Sequence, residues 1–185
     1  MSTRTETATA VATAWKVDAS HSHVEFAVRH LMIATVKGRF GEVGGTLQGD
    51  ETDLGNASIE LTIPVSSIDT REAQRDAHLR SADFFETERY PEIRFRSRKI
   101  AKAGGDTFTV DGDLTIRDVT KPITLTVTSG GRATDPWGGA RVAYSTTAKI
   151  NRKDFGLTWN QALETGGVLV GDEVRISVEL EFVRA

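Results

Sequence analysis

Val174-Arg175-Ile176-Ser177-Val178-Glu179-Leu180-Glu181-Phe182 is the stretch that decides the fold class. Val174, Ile176, Val178, Leu180 and Phe182 alternate with polar positions that, with Glu173, include Arg175, Glu179 and Glu181. Successive side chains of a strand point to opposite faces, so this is a strand with one face buried and the other in water. The same pattern recurs upstream. Val24, Phe26, Val28 and His30 share a face opposed by Glu25 and Arg29, and Ile59, Leu61, Ile63 and Val65 are opposed by Glu60 and Thr62. Ile93, Phe95 and Ser97 alternate with Arg94, Arg96 and Arg98, a row of cations that is tolerable only on a solvated face.

Residues 108–116, 123–127 and 142–150 repeat the alternation, and residues 15–17 and 36–47 add to it, which gives about eight or nine strands. Turn signals stand between many of them: Gly44-Gly45, Gly49-Asp50, Gly104-Gly105, Gly130-Gly131, and Asp135-Pro136 followed by Gly138-Gly139. The chain therefore reads as an antiparallel meander with short connections. Two segments break the period. Residues 68–90 read as helix, with Asp69 or Thr70 as the cap and Pro91 as the stop. Residues 151–172, with Phe155, Leu157, Trp159 and Leu163, are too apolar for an idle surface loop. Amphipathic antiparallel strands hide their apolar faces either between two sheets or inside a closed barrel. At about eight strands a barrel is filled by side chains or holds one small ligand. Periodicity alone leaves sandwich and barrel both open.

Composition narrows the function. The 185 residues suit one domain that buries roughly 70% of its unfolded surface. A hydrophobic share of 38% and a charged share of 26% fit neither a disordered chain nor an integral membrane protein. Opposite charges are interspersed and the formal charge is −3, so no nucleic-acid partner is expected. The absence of cysteine removes disulfides, thiolate chemistry and sulfur-rich metal sites. Residues 1–13 read as a flexible tail ahead of a domain over 14–185. They carry none of the apolar run of about 7–15 residues that a secretory signal needs, so a cytoplasmic location is expected. The longest apolar run beyond them, Leu31 to Ala34, falls far short of the ~18 residues of a membrane helix, and no stable membrane insertion is expected.

Several ordered motifs make the sequence less anonymous. Trp15-Lys16-Val17-Asp18-Ala19-Ser20-His21-Ser22, followed by Phe26, His30, Gly38 and Phe40, resembles the opening of the YceI-like family of polyisoprenoid-binding, lipocalin-like proteins. Ser67-Ile68-Asp69-Thr70, residues 75–85 and residues 90–95 look like its central signature. Residues 112–116 with Thr120-Lys121-Pro122, and residues 150–156, are similar to its later ones. The resemblance covers about residues 15 to 183, and Asp118, where the family commonly has Gly, departs from it at a turn. It implies an all-β fold: an eight-stranded antiparallel lipocalin-like barrel, with a short helical segment at about 70–90 and a long closing loop at about 151–172. It also implies an apolar cavity for an isoprenoid or similar lipid chain, often in a homodimer.

With strand parity laid over that barrel, Phe26, His30, Phe40, Ile59, Leu61, Phe95, Phe108, Leu125 and Tyr144 are the expected cavity-facing residues. Phe84 and Phe85 would cap the chain's apolar end or anchor their segment, and Trp159 and Leu163 fit either a core plug or a cavity wall. One or two of Arg71, Arg75, Arg80 and Arg89 could meet a phosphate or carboxylate head group, although a solvated face with mutual salt bridges fits them as well. The function expected is binding, sequestration or transport of a long-chain apolar ligand: a polyisoprenoid, a quinone or a fatty-acid-like lipid. Two alternatives stay open. One is an enzyme using the cavity with His21, His23 or His30 as base or metal ligand; the other is a stress-related interaction protein with a solid core. His21 and His23 have a spacing that can bind zinc or copper, with Asp18 and Glu25 nearby, but a metal site needs three or four ligands and a supporting shell. No metal, cofactor or catalytic residue is assigned. There is no nucleophile elbow, and Asp111 and Asp113 lie on an outward strand face.

Overall fold

The computed structural model describes residues 12–50 and 53–185. In chain order the strands begin with β1 (Ala14–Val17), β2 (His23–His30), β3 (Ala34–Phe40), β4 (Gly44–Asp50), β5 (Asp53–Pro64) and the two-residue β6 (Ile68–Asp69). After the single α-helix among the described residues, α1 (Ala73–Arg80), come β7 (Glu92–Gly104), β8 (Thr107–Ile116), β9 (Val119–Thr134), β10 (Ala140–Asn151) and β11 (Val170–Arg184). All pairings between strands are antiparallel.

The sheet runs β1-β4-β5-β7-β8-β9-β10-β11 and closes where β1 also pairs with the end of β11, Trp15 opposite Arg184 and Val17 opposite Phe182. Eight strands thus form the barrel. The rest of β11 pairs with β2, and β2-β3-β6 continue the wall where the short β1 has ended. Sandwich and barrel, equally consistent with the periodicity, are separated by that β1–β11 pairing.

The opening stretch shows how the alternation is used. On β11, Val174, Ile176, Val178, Leu180 and Phe182 stand opposite Ile150, Ala148, Thr146, Tyr144 and Val142 of β10, and all ten face the interior. The arginine row is solvated as its spacing requires. Arg94 pairs with Glu92 at 2.7 Å, Arg96 with Glu60 at 2.6 Å and Arg98 with Asp113 at 3.4 Å.

Four expectations are corrected. The helix covers only Ala73–Arg80, not 68–90, and its N-cap is Glu72, whose carboxylate accepts from the Gln74 and Arg75 amides. Beyond Ser81 the chain turns back, with Glu86 at φ 49°, because Phe84 must reach the barrel interior, where it is buried. Residues 36–47 are two strands, broken at Gly41-Glu42-Val43 where the chain leaves β2 for the wall between β1 and β5. Gly44-Gly45 lies inside β4, not in a turn. At Gly45 (φ 151°) a Cβ would stand 2.2 Å from the Glu60 carbonyl oxygen, so the close approach of β5 demands glycine. Gly130-Gly131 likewise lies inside β9, at a bulge where the register with β10 shifts, so the strand is far longer than the expected 123–127. Of the expected N-terminal tail, residues 1–11 lie outside the described residues, while the Thr13 carbonyl accepts from the Gly49 amide at 2.9 Å.

Candidate functional site

Two buried apolar clusters divide the barrel interior. Trp15, Leu47, Leu54, Val110, Val142 and Phe182 belong to the first, at the end closed by β1. Val65, Phe84, Ile93, Ile116, Phe155 and Leu157 form the second, beside α1 and the loop after β10. Between them the inward side chains change character. Ile59, Leu61, Leu125, Ile176 and Val178 point inward yet are only half-buried, because beside their packing neighbours they border empty space. That space is a cavity of about 240 Å³.

The residues explain why the middle is hollow. On β10 the inward positions run Val142, Tyr144, Thr146, Ala148, Ile150, so the two smallest side chains fall at mid-height. Two aromatic rings are laid against the wall over glycines instead of projecting across the lumen. A Cβ on Gly38 would fall 2.3 Å from a Phe26 ring atom, and one on Gly112 would fall 2.5 Å from a Phe95 ring atom. Phe26 is cross-strand from Gly38, the arrangement in which an aromatic ring covers a glycine that offers no side chain of its own. From Phe26 a chain of rings runs through Phe40 (centroids 5.6 Å apart) to Phe85 (6.2 Å), tying β2 and β3 to the segment after α1.

The expected site residues divide as follows. Phe26, Phe40, Ile59, Leu61 and Phe95 line the cavity, as do Phe84, Phe85, Phe108, Leu125 and Tyr144. His30, Trp159 and Leu163 do not. His30 is half-buried near the end of β2, where the strand leaves the cavity for the β2–β3 turn. Trp159 packs against the second cluster, 5.3 Å from the Phe84 ring and 4.7 Å from His78. Leu163 belongs to a small turn of the closing loop, its amide donating to the Gly167 carbonyl. Val174, Ile176 and Val178 line the cavity without having been assigned to it, although they share the parity of Leu180 and Phe182.

Arg152 is the other residue that spacing did not single out. It reaches the lining from the loop after β10 and is buried to 3% exposure. Its guanidinium donates to the carbonyls of Leu157 (2.6 Å), Gly171 (2.8 Å) and Trp159 (2.9 Å), with Asp172 at 3.8 Å. Burial lowers its pKa from the usual arginine value, against the opposing pull of Asp172. It is a strut that satisfies a loop's backbone, with its donors committed to those carbonyls. The arginines around α1 are similarly engaged. Arg75 donates to Thr70 and Arg80 to the Ser66 and Ile68 carbonyls, Arg89 stands 5.1 Å over the Tyr90 ring, and neither these three nor Arg71 lines the cavity.

The histidines are scattered. His21 and His23 are exposed and outside the cavity, and His78 bonds Asp83 at 2.8 Å. Asp18, His21 and Glu181 do bring three potential ligand atoms together. The place a cation would take among them is held by Arg141, whose Nη1 donates to Asp18 at 2.7 Å and also to Glu181, while its Nε donates to Asp135 at 3.0 Å. The Asp18 carboxyl is held well below its usual range by hydrogen bonds from Ser20, His21 and Arg141, and these carboxylates in turn push Arg141 upward. The cluster is an ion-paired clasp joining the segment after β1 to β10 and β11.

Fold and cavity together define a class: closed antiparallel barrels with an apolar lumen. Within it, the chain belongs to the YceI-like domain family, whose profile it matches over residues 15–182. A UPF0312 protein from Staphylococcus aureus (strain MSSA476) is 38% identical over 166 residues, 89% of this chain and 94% of its own. Among solved structures, BcnA of Burkholderia cenocepacia superposes with a TM-score of 0.78 at 25% identity, over 89% of this chain and 98% of that one. A polyisoprenoid binding domain from Saccharophagus degradans, implicated in plant cell wall breakdown, shares the fold with a TM-score of 0.70 at 17% identity, over 92% and 98% of the two chains.

Proposed function

We propose that the protein binds a long-chain apolar ligand, such as a polyisoprenoid, a quinone or a fatty-acid-like lipid, and sequesters or carries it in the barrel lumen. The observation that carries this is the hollow interior: about 240 Å³ bounded almost wholly by aliphatic and aromatic side chains, of which Ile59, Leu61, Leu125, Ile176 and Val178 are only half-buried. A filled core would bury those side chains completely, which argues against the solid-barrel alternative. Hiding a few hundred Å² of ligand chain at roughly 25 cal/mol per Å² yields several kcal/mol before the costs of association.

Chain length and shape set selectivity in this arrangement, because the lumen offers almost no polar recognition. Arg152 has its donors committed to carbonyls. A polar head group would lie outside. The reading requires no covalent step, and the enzyme alternative draws no support from His21, His23 or His30, none of which lines the lumen. The homodimer, and a role in transport within the cytoplasm, belong to the same proposal.

Native mass spectrometry of freshly purified protein, followed by organic extraction, tests it. The expected result is a discrete added mass that leaves on denaturation, is lost in a folded Leu61→Asp variant, and reports the oligomeric state in the same spectrum. An unliganded mass with no uptake of polyprenyl lipids, quinones or fatty acids would overturn the reading.

A further inference from the structure

The β2–β3 hairpin ends in an unusual turn. Its apex is Leu31-Met32-Ile33, with Leu31 at φ 53° and Met32 at φ 61°. Turns of this hand normally take Asn-Gly or Gly, since a side chain in the left-handed region is strained. Here aliphatic residues occupy those positions, and Met32 and Ile33 remain 56% and 80% exposed. The strain is held by its surroundings. The Arg29 guanidinium donates to the Met32 carbonyl at 2.7 Å, and the Leu31 amide donates to Leu169 at 2.9 Å, which fastens the hairpin to the closing loop. Local turn chemistry and solvation both disfavour this apex, a conflict that points to function.

Behind the apex the outer face is cationic. A groove across β10, β11, β2 and β3 carries Lys37, Arg39, Arg71, Lys149 and Arg175 against Glu25 and Asp69, on a chain whose formal charge is −3. Lys37, Arg175 and Lys149 lie in one transverse row, since Ala27 pairs with both Lys37 and Arg175, and Arg175 pairs with Lys149. Arg39 is engaged by Asp69 at 3.2 Å, and Glu173 touches both Arg175 (3.2 Å) and Lys149 (3.7 Å), while Lys37 makes no ion pair among the described residues. The row sits four residues from Ile33, about 13 Å along the strand. An apex sunk about 5–10 Å below a bilayer surface would bring that row close to the phosphates.

We propose that this end of the molecule docks on an anionic lipid surface, with Met32 and Ile33 entering the head-group region and the Lys37 row facing the lipid phosphates. The contact is peripheral and independent of what occupies the lumen, so it can fail while lipid retention in the barrel stands. Trp137 provides the internal control. It is 87% exposed on the β9–β10 turn, at the opposite end of β11, and cannot meet the same surface.

The test is co-sedimentation of the full chain with phosphatidylcholine vesicles, with and without phosphatidylglycerol. The expected result is binding only to the anionic vesicles, weakened by salt. Ile33→Asp should lower the partition coefficient by more than about tenfold, and Lys37→Glu by about fivefold per unit of charge altered. Trp137→Ala should leave it unchanged, and all three variants should keep the wild-type far-ultraviolet spectrum and any co-purified lipid. No binding to anionic vesicles, or binding that Ile33→Asp leaves intact, overturns the proposal. So does loss through Trp137→Ala alone, or a concentration-dependent dimer that Ile33→Asp dissolves without any vesicle binding, which would assign the apex to a second copy.

Discussion

The ends of the barrel and its middle are built from the same kinds of residue, yet pack in opposite ways. Both Leu47, in the end cluster, and Leu61, on the neighbouring strand, line the lumen, yet Leu47 is 1% exposed whereas Leu61 is only half-buried. Stability is therefore concentrated at the ends, and capacity in the middle. Truncation separates the two directly. Leu47→Ala removes a side chain packed on nearly every side and should cost about 3–4 kcal/mol, while Leu61→Ala removes one already partly open to the lumen and should cost about 1 kcal/mol. Urea denaturation of delipidated protein measures both, and equal costs would remove the distinction between filled ends and hollow middle.

Arg152 sharpens the contrast from the polar side. It stands at the boundary between the second cluster and the lumen, and its guanidinium is what keeps the carbonyls of Leu157, Gly171 and Trp159 from being buried without donors. Arg152→Met preserves apolar bulk and removes the donors, and should cost about 3 kcal/mol in the same titration. A loss below about 1 kcal/mol would mean that water replaces the donors there. The glycines beneath the rings come next. Gly38→Ala forces the Phe26 ring off the wall, an overpacking change expected to cost about 1–2 kcal/mol. Its larger consequence is for capacity, because the displaced ring occupies the lumen. Uptake of a fluorescent fatty acid should fall much further than in Leu61→Ala, and undiminished uptake would show that the ring has another place to go.

Legibility in the sequence followed the same division. Period two on strands such as β11 gave strand identity and the inward face, and therefore most of the wall, including Phe26, Leu61 and Tyr144. It was silent on β9 from Thr128 to Thr134, where Thr, Ser, Gly, Arg and Ala carry no apolar alternation although the strand pairs with β10 on both sides of its bulge. His30 has cavity parity by position and lies beyond the cavity's end, since parity fixes a side chain's face but not its height. Trp159 was ambiguous because a loop has no period at all. The hollow itself depends on which heights carry Thr146, Ala148, Gly38 and Gly112, which becomes visible only once register is known. Arg152 looked like any charged residue; its burial comes from the tertiary path of the loop around it.

The smallest effect belongs to the clasp around Arg141, at the far end from Arg152. Both arginines are structural, but one is held mainly by neutral carbonyls and the other by carboxylates whose pKa values are lowered, so the second makes stability depend on pH. Ser20, His21 and Arg141 hydrogen-bond the Asp18 carboxylate, and the Gly139 amide and Arg141 do the same for Asp135, so both carboxyls lie below their usual range in the folded state. The unfolded chain then binds protons more readily than the native one as acid is added. The stabilisation is complete above the ordinary aspartate pKa of about 3.9 and is lost as the pH falls below it towards the folded values. Asp18→Asn keeps the shape and removes the charge, and should cost about 1 kcal/mol at pH 7. The difference in melting temperature between the two proteins should shrink steadily below pH 4. An offset constant from pH 7 to pH 2 would show that the clasp acts through shape and hydrogen-bond count, leaving the two arginines equivalent after all.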